Sequence, residues 1–130
     1  MNILVGYDKS DASKAALRVA IEHAEAFKAK IHIVNSMIQT RELSREDIQR
    51  VELRLQTLKN SLKAEKVACE VFAQVSKHSA GESLVEFAME NEIDQIFIGV
   101  RRRSRVGKLI LGSNAQYIIL KAPCPVMAVK

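Results

Sequence analysis

Short apolar segments alternate along this chain with longer segments in which apolar residues recur every three or four positions. The apolar segments predict five β-strands, at residues 3–5, 31–34, 71–75, 96–98 and 126–129. The longer segments predict four helices, the last two at 79–90 and 113–121, because their apolar residues fall on one helical face. This alternation is typical of a parallel sheet covered by helices on both faces. We therefore predict an α/β fold with a five-stranded parallel sheet, as one domain over residues 1–130.

Polar capping residues mark the starts of the first two helices. Ser10 or Asp11 precedes the first helix, whose apolar positions are expected to face inward as far as Phe27. Ser44 and Asp47 resemble a capping box at the start of the second helix. The second helix carries a narrow apolar seam that we expect to pack on the sheet: Ile48, Val51, Leu55, Leu58 and Leu62.

Two strands end in a glycine followed by polar residues, and ligands of parallel α/β sheets bind at such carboxyl ends. The first strand ends in Gly6-Tyr7-Asp8, and the fourth ends at Gly99. A strand order of 3-2-1-4-5 brings these two ends side by side where the winding direction reverses. An order of 2-1-3-4-5 pairs the first strand with the third instead. The apolar pattern alone leaves both orders open.

The composition is that of an ordinary globular domain. The chain has 130 residues, of which 48% are hydrophobic and 27% are charged. No apolar segment approaches the roughly 20 residues that span a bilayer, and we expect no signal peptide. Cys69 and Cys124 lie far apart and lack metal-ligand spacing. We therefore expect two reduced thiols and a cytoplasmic protein without a membrane partner.

Positive charge is concentrated in one segment. Residues 101–108 contain five cationic side chains and no acid, and the formal net charge of the whole chain is +5. The remainder is neutral by formal count, which favours an anion bound at one place. A helix start follows at Gly112 and Ser113, where first-turn amides are donors for an anion. The alternative is a plain helix cap beside a solvated basic loop.

Several other chemistries lack the residues that they need. The sequence has no G-x-G-x-x-G motif, and Gly107-Lys108 does not complete a P-loop because Leu109 stands where a Ser or Thr must reach magnesium. No nucleophile elbow supports hydrolysis, so we predict no catalytic residue. The basic segment has no interleaved aromatic residues, which argues against nucleic acid as a partner. Asp8 has no second acid nearby to share a metal ion. The histidines are interpreted as structural or solvated: His23, His32 and His78.

Along essentially its full length, the chain resembles the universal stress protein family. The family signature G-x2-G-x9-G-[ST] follows the fourth strand, and the chain keeps Gly99, the nine-residue spacer, Gly112 and Ser113. Its opening residues 3–8 and its residues 122–126 are also similar to those of the family. The resemblance implies a Rossmann-like sheet of order 3-2-1-4-5 that binds ATP or a related adenine nucleotide, with or without magnesium. It also implies a homodimer joined along the last strand, at Val126, Met127 and Val129.

The resemblance assigns roles to individual positions. Tyr7 and Asp8 would meet the adenine and the ribose, and Asn35 would lie near the base. Ile98 and Gly99 would line the path from the base to the phosphates. The complete set implied for nucleotide binding is Gly6, Tyr7, Asp8, Asn35, Ile98, Gly99, Arg101, Arg102, Gly112, Ser113, Asn114 and Ala115, with the last four at the phosphates. Arg102 departs from the family, whose signature has glycine there, and an arginine can either clamp a phosphate or block it.

Functions from different classes remain open. The first is a universal stress protein of the cytoplasm, a small dimeric sensor or regulator that binds an adenine nucleotide, is not an enzyme and acts through an unidentified protein partner. The second is a family member that has lost nucleotide binding and acts as a dimeric interaction module. Arg102 divides these two hypotheses, and we expect it to clamp phosphate rather than exclude it. A third, a phosphate-transferring enzyme, needs a magnesium-binding acid beside Ser113.

Overall fold

The computed structural model describes residues 1–100 and 111–130, which form one parallel sheet with helices on both faces. The elements in chain order are β1 (Asn2–Gly6), α1 (Asp11–Phe27), β2 (Lys30–Ile38), α2 (Arg45–Ala64), β3 (Cys69–Ser76), α3 (Ala80–Glu90), β4 (Gln95–Gly99), α4 (Ser113–Lys121) and β5 (Val126–Val129). The predicted α/β class, with five strands and four helices in the described part of the chain, is confirmed.

The strand order is β3-β2-β1-β4-β5, and every neighbouring pair is parallel. This order decides between the two that the apolar pattern left open, and it brings the ends of β1 and β4 side by side. β1 pairs with β2 as far as Gly6 opposite Val34, but β2 and β3 continue to pair as far as Ile38 opposite Ser76. β2 and β3 therefore extend past the end of β1 and form a wall beside it.

Alternation along the strands divides the core into two layers. Ile3 and Val5 pack with residues of α1 and α2, whereas Leu4 packs with residues of α3 and α4. We call these the α1–α2 layer and the α3–α4 layer. The apolar seam of α2 lies in the first layer, where Leu55 and Leu62 are buried and α2 lies against β3. The predicted packing of this seam on the sheet is confirmed.

Serine side chains cap three of the four described helices. Ser10, Ser44 and Ser79 each accept a hydrogen bond from the backbone N–H three residues later. Ser44 and Asp47 form the predicted capping box, and the hydrogen bond from the Ser44 backbone N–H lowers the pKa of the Asp47 carboxyl. The N-cap of α4 is Gly112, which has no side chain to offer. The start of α4 thus differs from the starts of the other helices.

One residue that was predicted to face inward is exposed. Phe27 is the last residue of α1, and 62% of its surface is accessible. The buried stripe of α1 ends at Ala24, after which Lys28 turns the chain toward β2 in a left-handed conformation with φ of 53°. The prediction for Phe27 was wrong because periodicity assigns a residue to a helix face but does not tell where the helix ends relative to the sheet.

The histidines and cysteines pack largely as expected. His23 meets the ring of Phe97 edge-on at 5.1 Å between ring centroids, and His32 stacks on Phe72 at 6.1 Å. Burial lowers the pKa of His32 below its usual value. The two cysteines are free thiols, one buried and one half-buried, and burial raises the pKa of both: Cys69 and Cys124. Among the described helices, none combines the length and apolar character that crossing a membrane requires.

Candidate functional site

A cleft of about 160 Å³ opens at the carboxyl ends of β1, β2 and β4. The starts of α1, α3 and α4 complete its walls, so it lies at the point where the strand order reverses. The residues that line it are Gly6, Tyr7, Asp8, Ser10, Ser13, Val34, Ser36, Ala80, Leu84, Ile98, Gly99, Asn114, Ala115 and Ile118. An apolar cavity of about 150 Å³ accepts a benzene molecule. The cleft is therefore large enough for a flat ring system, and a larger ligand would have to extend out of it.

The base of the cleft is apolar. Val34, Leu84, Ile98 and Ile118 are all at least 94% buried and belong to the α3–α4 layer. Covering these aliphatic side chains with a flat ring is favourable, because water leaves both apolar surfaces. This part of the cleft suits a planar apolar face rather than a charged group.

The turn after β1 is fixed by hydrogen bonds among its own residues. The Ser10 backbone N–H donates to Asp8 Oδ1 at 3.0 Å, and the Asp8 backbone N–H donates to Ser13 Oγ at 3.3 Å. The Ser13 hydroxyl in turn donates to the Ser10 carbonyl at 3.0 Å. Lys9 adopts a left-handed conformation with φ of 61°, which costs a non-glycine residue about 1 kcal/mol. This turn holds the exposed carboxyl group of Asp8 at the mouth of the cleft.

The glycines at the cleft differ in what surrounds them. A Cβ on Gly99 would overlap the carbonyl group of Ala12 and lie 2.7 Å from the Ser13 nitrogen. Glycine is therefore needed there so that the start of α1 can pack on β4. A Cβ on Gly112 would meet nothing within 4 Å among the described residues, and its φ is −65°, which any residue adopts. Neither the packing of the described residues nor the backbone conformation explains the glycine at position 112.

The first turn of α4 presents backbone donors beside the cleft. Gly112 provides no side-chain cap, and the first turn contains no acidic residue. The carbonyl of Gly112 accepts the backbone N–H of Gln116 at 3.0 Å, which begins the helical hydrogen bonds. The N–H groups of the residues in between point out of the helix start, where the helix dipole favours an anion.

Asn114 joins α4 to α3. Its Oδ1 accepts a hydrogen bond of 2.9 Å from the backbone N–H of Gly81, the second residue of α3. A Cβ on Gly81 would lie 3.1 Å from the Asn114 carbonyl oxygen, so the glycine allows the two helix starts to approach closely. Asn114 is exposed and also lines the cleft.

The structure brings together seven of the residues that the resemblance assigned to nucleotide binding. Gly6, Tyr7, Asp8, Ile98, Gly99, Asn114 and Ala115 all border the cleft. Tyr7 does so although its side chain is packed in the α1–α2 layer, where burial raises the pKa of its hydroxyl. Gly112 and Ser113 begin the adjoining helix but do not line the cleft. Arg101 and Arg102, with the rest of the basic segment, lie outside the described residues.

Asn35 does not line the cleft, whereas the next residue does. Strand alternation places Asn35 on the same face of β2 as Ile33, in the α1–α2 layer, and Ser36 on the opposite face with Val34. Ser36 borders the cleft, and its Oγ is buried without a hydrogen-bond partner among the described residues. The signal that could have found Ser36 is the two-residue period of β2, continued past residue 34.

The other lining residues that the sequence did not indicate come mainly from α3 and α4: Ala80, Leu84 and Ile118. They lie in the helices predicted at 79–90 and 113–121, but no local pattern tells which helix covers which strand end. Within residues 1–100 and 111–130, no cluster of three or more His, Cys, Asp or Glu side chains could hold a metal ion.

Comparisons with known proteins agree on one family. A model of the family described as "Universal stress protein family" matches residues 1–130. A Thermus aquaticus protein named "Universal stress protein in QAH/OAS sulfhydrylase 3'region" is 33% identical over an alignment of 138 residues. The match covers 98% of this chain and 97% of that protein.

Two solved structures from Archaeoglobus fulgidus superpose on the whole chain. A universal stress protein with 34% sequence identity has a TM-score of 0.86, and the match covers 100% of this chain and 98% of that one. A universal stress protein in complex with dAMP has 30% identity and a TM-score of 0.82, with the same coverage of both chains.

Proposed function

We propose that this chain, which belongs to the universal stress protein family, binds an adenine nucleotide in the cleft at the ends of β1, β2 and β4. The observation that carries the proposal is a ring-sized apolar recess directly beside an uncapped helix start. These two features suit the two ends of a nucleotide, an apolar base and an anionic phosphate. The dAMP complex of the Archaeoglobus fulgidus protein, at 30% identity over the whole chain, supports the same ligand class.

The proposed ligand lies across the sheet. β2 and β4 are separated by β1, so their axes are about 10 Å apart. A base over Val34 and Leu84 can then direct its ribose toward Asp8 and its phosphates toward the first turn of α4. In this arrangement Asp8 accepts hydrogen bonds from ribose hydroxyl groups, and helix-start amides donate to phosphate oxygens.

We propose that the chain binds the nucleotide and that its function does not require hydrolysis of the nucleotide. A phosphate-transferring enzyme needs an acid that holds magnesium beside Ser113. The first turn of α4 contains none, and among the described residues that line the cleft Asp8 is the one acid. The proposal is a sensor or regulator of the cytoplasm whose occupancy by nucleotide is read by a protein partner. The two free thiols favour a reducing compartment.

The alternative is a member of the family that no longer binds nucleotide, and Arg102 is the residue that divides the two functions. Because the family signature has glycine there, an arginine that blocks the phosphates would leave an interaction module. An arginine that clamps them would make affinity rise with the number of phosphates and fall with added salt, since exposed charges are screened over about 8–10 Å.

Calorimetric titration separates these functions. We expect the protein, freed of any co-purified nucleotide by extraction, to bind AMP, ADP and ATP in the micromolar to millimolar range, with affinity increasing along that series. Ala115→Leu should abolish binding, because the larger side chain fills the cleft that Ala115 lines. The matched control is Ala26→Leu on the exposed surface of α1, which should bind like the parent protein. Absence of binding by the parent at millimolar nucleotide would instead favour the interaction module.

A further inference from the structure

A single carboxamide connects the starts of two helices at the cleft. The backbone N–H of Gly81 is one of the first-turn donors of α3 that have no partner within their own helix. It donates to Asn114 Oδ1 at 2.9 Å, across 33 residues of sequence. Gly81 is buried, and its lack of a Cβ lets the backbone of Asn114 come within contact distance. The oxygen of Asn114 is therefore already used by α3.

This hydrogen bond also fixes which way the carboxamide is turned. An asparagine side chain has an accepting oxygen and a nitrogen with two N–H donors. Because the Gly81 group is a donor, the oxygen must face α3, and Nδ2 occupies the other branch of the amide. Asn114 is exposed and lines the cleft, in the same turn as the uncapped amides of α4. Its two N–H donors are thus available on the side of the group that α3 does not occupy.

We propose that Asn114 is an oriented phosphate ligand, in which the backbone of α3 holds the oxygen so that Nδ2 donates to a phosphate oxygen of the nucleotide. This inference rests on the proposed function and assigns a positioning role to Gly81. It makes the expectation for Asn114 more specific, because the phosphate contact is assigned to the side-chain nitrogen. It also makes α3 a contributor to a phosphate site that lies on α4.

The choice of asparagine over aspartate fits this role. An aspartate at position 114 could accept the same hydrogen bond from Gly81, and its negative charge would be favourable at two helix starts. The first turns of α1, α2 and α3 all contain an acidic residue, whereas that of α4 does not. A carboxylate would stabilise the helix starts but repel a phosphate. The neutral amide stabilises them less, and it provides N–H donors for a phosphate oxygen.

Two variants are needed: Asn114→Ala removes the donors without adding a charge, and the isosteric Asn114→Asp retains the bridge to Gly81. Asn114→Asp keeps an oxygen for the Gly81 N–H, removes both Nδ2 donors and adds one negative charge. We expect its melting temperature to equal or exceed that of the parent, its affinity for AMP to fall at least tenfold, and its affinity for adenosine to stay within about twofold. Asn114→Ala should lose affinity for AMP and also melt at a lower temperature, because the bridge to Gly81 is lost.

Asn60→Asp is the matched control. Asn60 lies on the exposed side of α2, and its Oδ1 accepts a hydrogen bond of 3.1 Å from Gln56 Nε2, which an aspartate retains. This variant adds the same charge away from the cleft and should bind AMP like the parent. Equal AMP affinity of Asn114→Asp and the parent, with binding in the parent intact, would overturn the role of Asn114 alone. A parent protein that binds neither adenosine nor AMP would overturn the proposed function and the inference together.

Discussion

At the scale of single residues, two glycines of the signature motif have different physical reasons. Gly99 is required by the fold, because a side chain there would collide with the backbone at the start of α1. Gly112 has an ordinary φ, and a Cβ there would meet nothing within 4 Å among the described residues, so nothing in that part of the chain requires a glycine. For the proposed nucleotide, we expect the phosphates to approach the backbone most closely where no Cβ intervenes, as at Gly112.

This difference predicts opposite outcomes for two alanine substitutions. Gly99→Ala should lower the free energy of unfolding by about 2 kcal/mol or more, because backbone atoms at the contact cannot move aside as a flexible side chain would. Gly112→Ala should leave it within about 1 kcal/mol of the parent, since the loss of a favourable N-cap residue is offset by a less flexible unfolded chain. Its affinity for AMP should nevertheless fall. Denaturant unfolding and calorimetry on both variants check this, and a stable Gly99→Ala protein would contradict our account of the packing.

The residues of the cleft were predictable where a strand simply ends and less so where a strand continues. The glycine and polar residues after β1 and β4 were found from the sequence because they interrupt apolar runs. Asn35 and Ser36 also interrupt an apolar run, but β2 continues through both of them. Pairing with β3 supplies the backbone hydrogen bonds that keep the strand extended there. That tertiary contribution is not visible in the local sequence. Once the strand continues, its two-residue alternation places Ser36 rather than Asn35 at the cleft.

At the scale of elements, β5 is one of the two edge strands of the described sheet, and β3 is the other. β5 pairs only with β4 in the described sheet, and its side chains Val126, Met127 and Val129 are half-buried. Ile119 and Leu120 on α4 are exposed, with 42% and 79% of their surfaces accessible. An open edge with apolar neighbours favours pairing with a second copy of the same strand across a two-fold axis. The homodimer stays a prediction, and a substitution that blocks hydrogen bonding at the outer edge of β5 can test it.

A proline at the outer edge of β5 should separate the protomers without unfolding them. The carbonyls of Pro125 and Val129 accept hydrogen bonds from β4, so alternate residues face β4 and Ala128 faces outward. Ala128→Pro removes an outward N–H and spares the bonds to β4. We expect the parent and the control Ala128→Val to sediment as dimers at about 50 μM and Ala128→Pro to sediment as a monomer. A monomeric parent at that concentration would rule out the edge as a stable interface.

The elements followed from the apolar pattern, whereas their arrangement in the order 3-2-1-4-5 followed only from the family resemblance, which the structure confirms. Strand and helix identities follow from apolar periodicity, and the caps at Ser10 and Ser44 follow from local hydrogen bonding. The strand order could not be derived from periodicity, because both candidate orders bury the same apolar faces. It was indicated only by the family resemblance. The contribution of α3 to the cleft, through Ala80 and Leu84, likewise depends on which strand the helix crosses.

At the scale of the whole molecule, the middle of the sheet differs from the edge at which the strands end. Two apolar layers bury the middle of every central strand, and the carboxyl ends of three strands open into one cleft. Three helices begin at that cleft, so their positive dipole ends converge on it. A parallel sheet wound in both directions produces this convergence wherever the order reverses, and the side chains then determine the ligand.

The central claim, that an adenine nucleotide binds in this cleft, is tested most directly by titrating ¹⁵N-labelled protein with AMP and following the backbone amide resonances. We predict saturable shifts at Gly6, Ser36, Gly99 and Ala115, with adenosine reproducing those near β2 but not those at the start of α4. The amides of Ala29, Val67 and Ala68, which lie together at a separate surface, should not move. No shifts at millimolar AMP, or shifts confined to residues away from the cleft, would contradict the account.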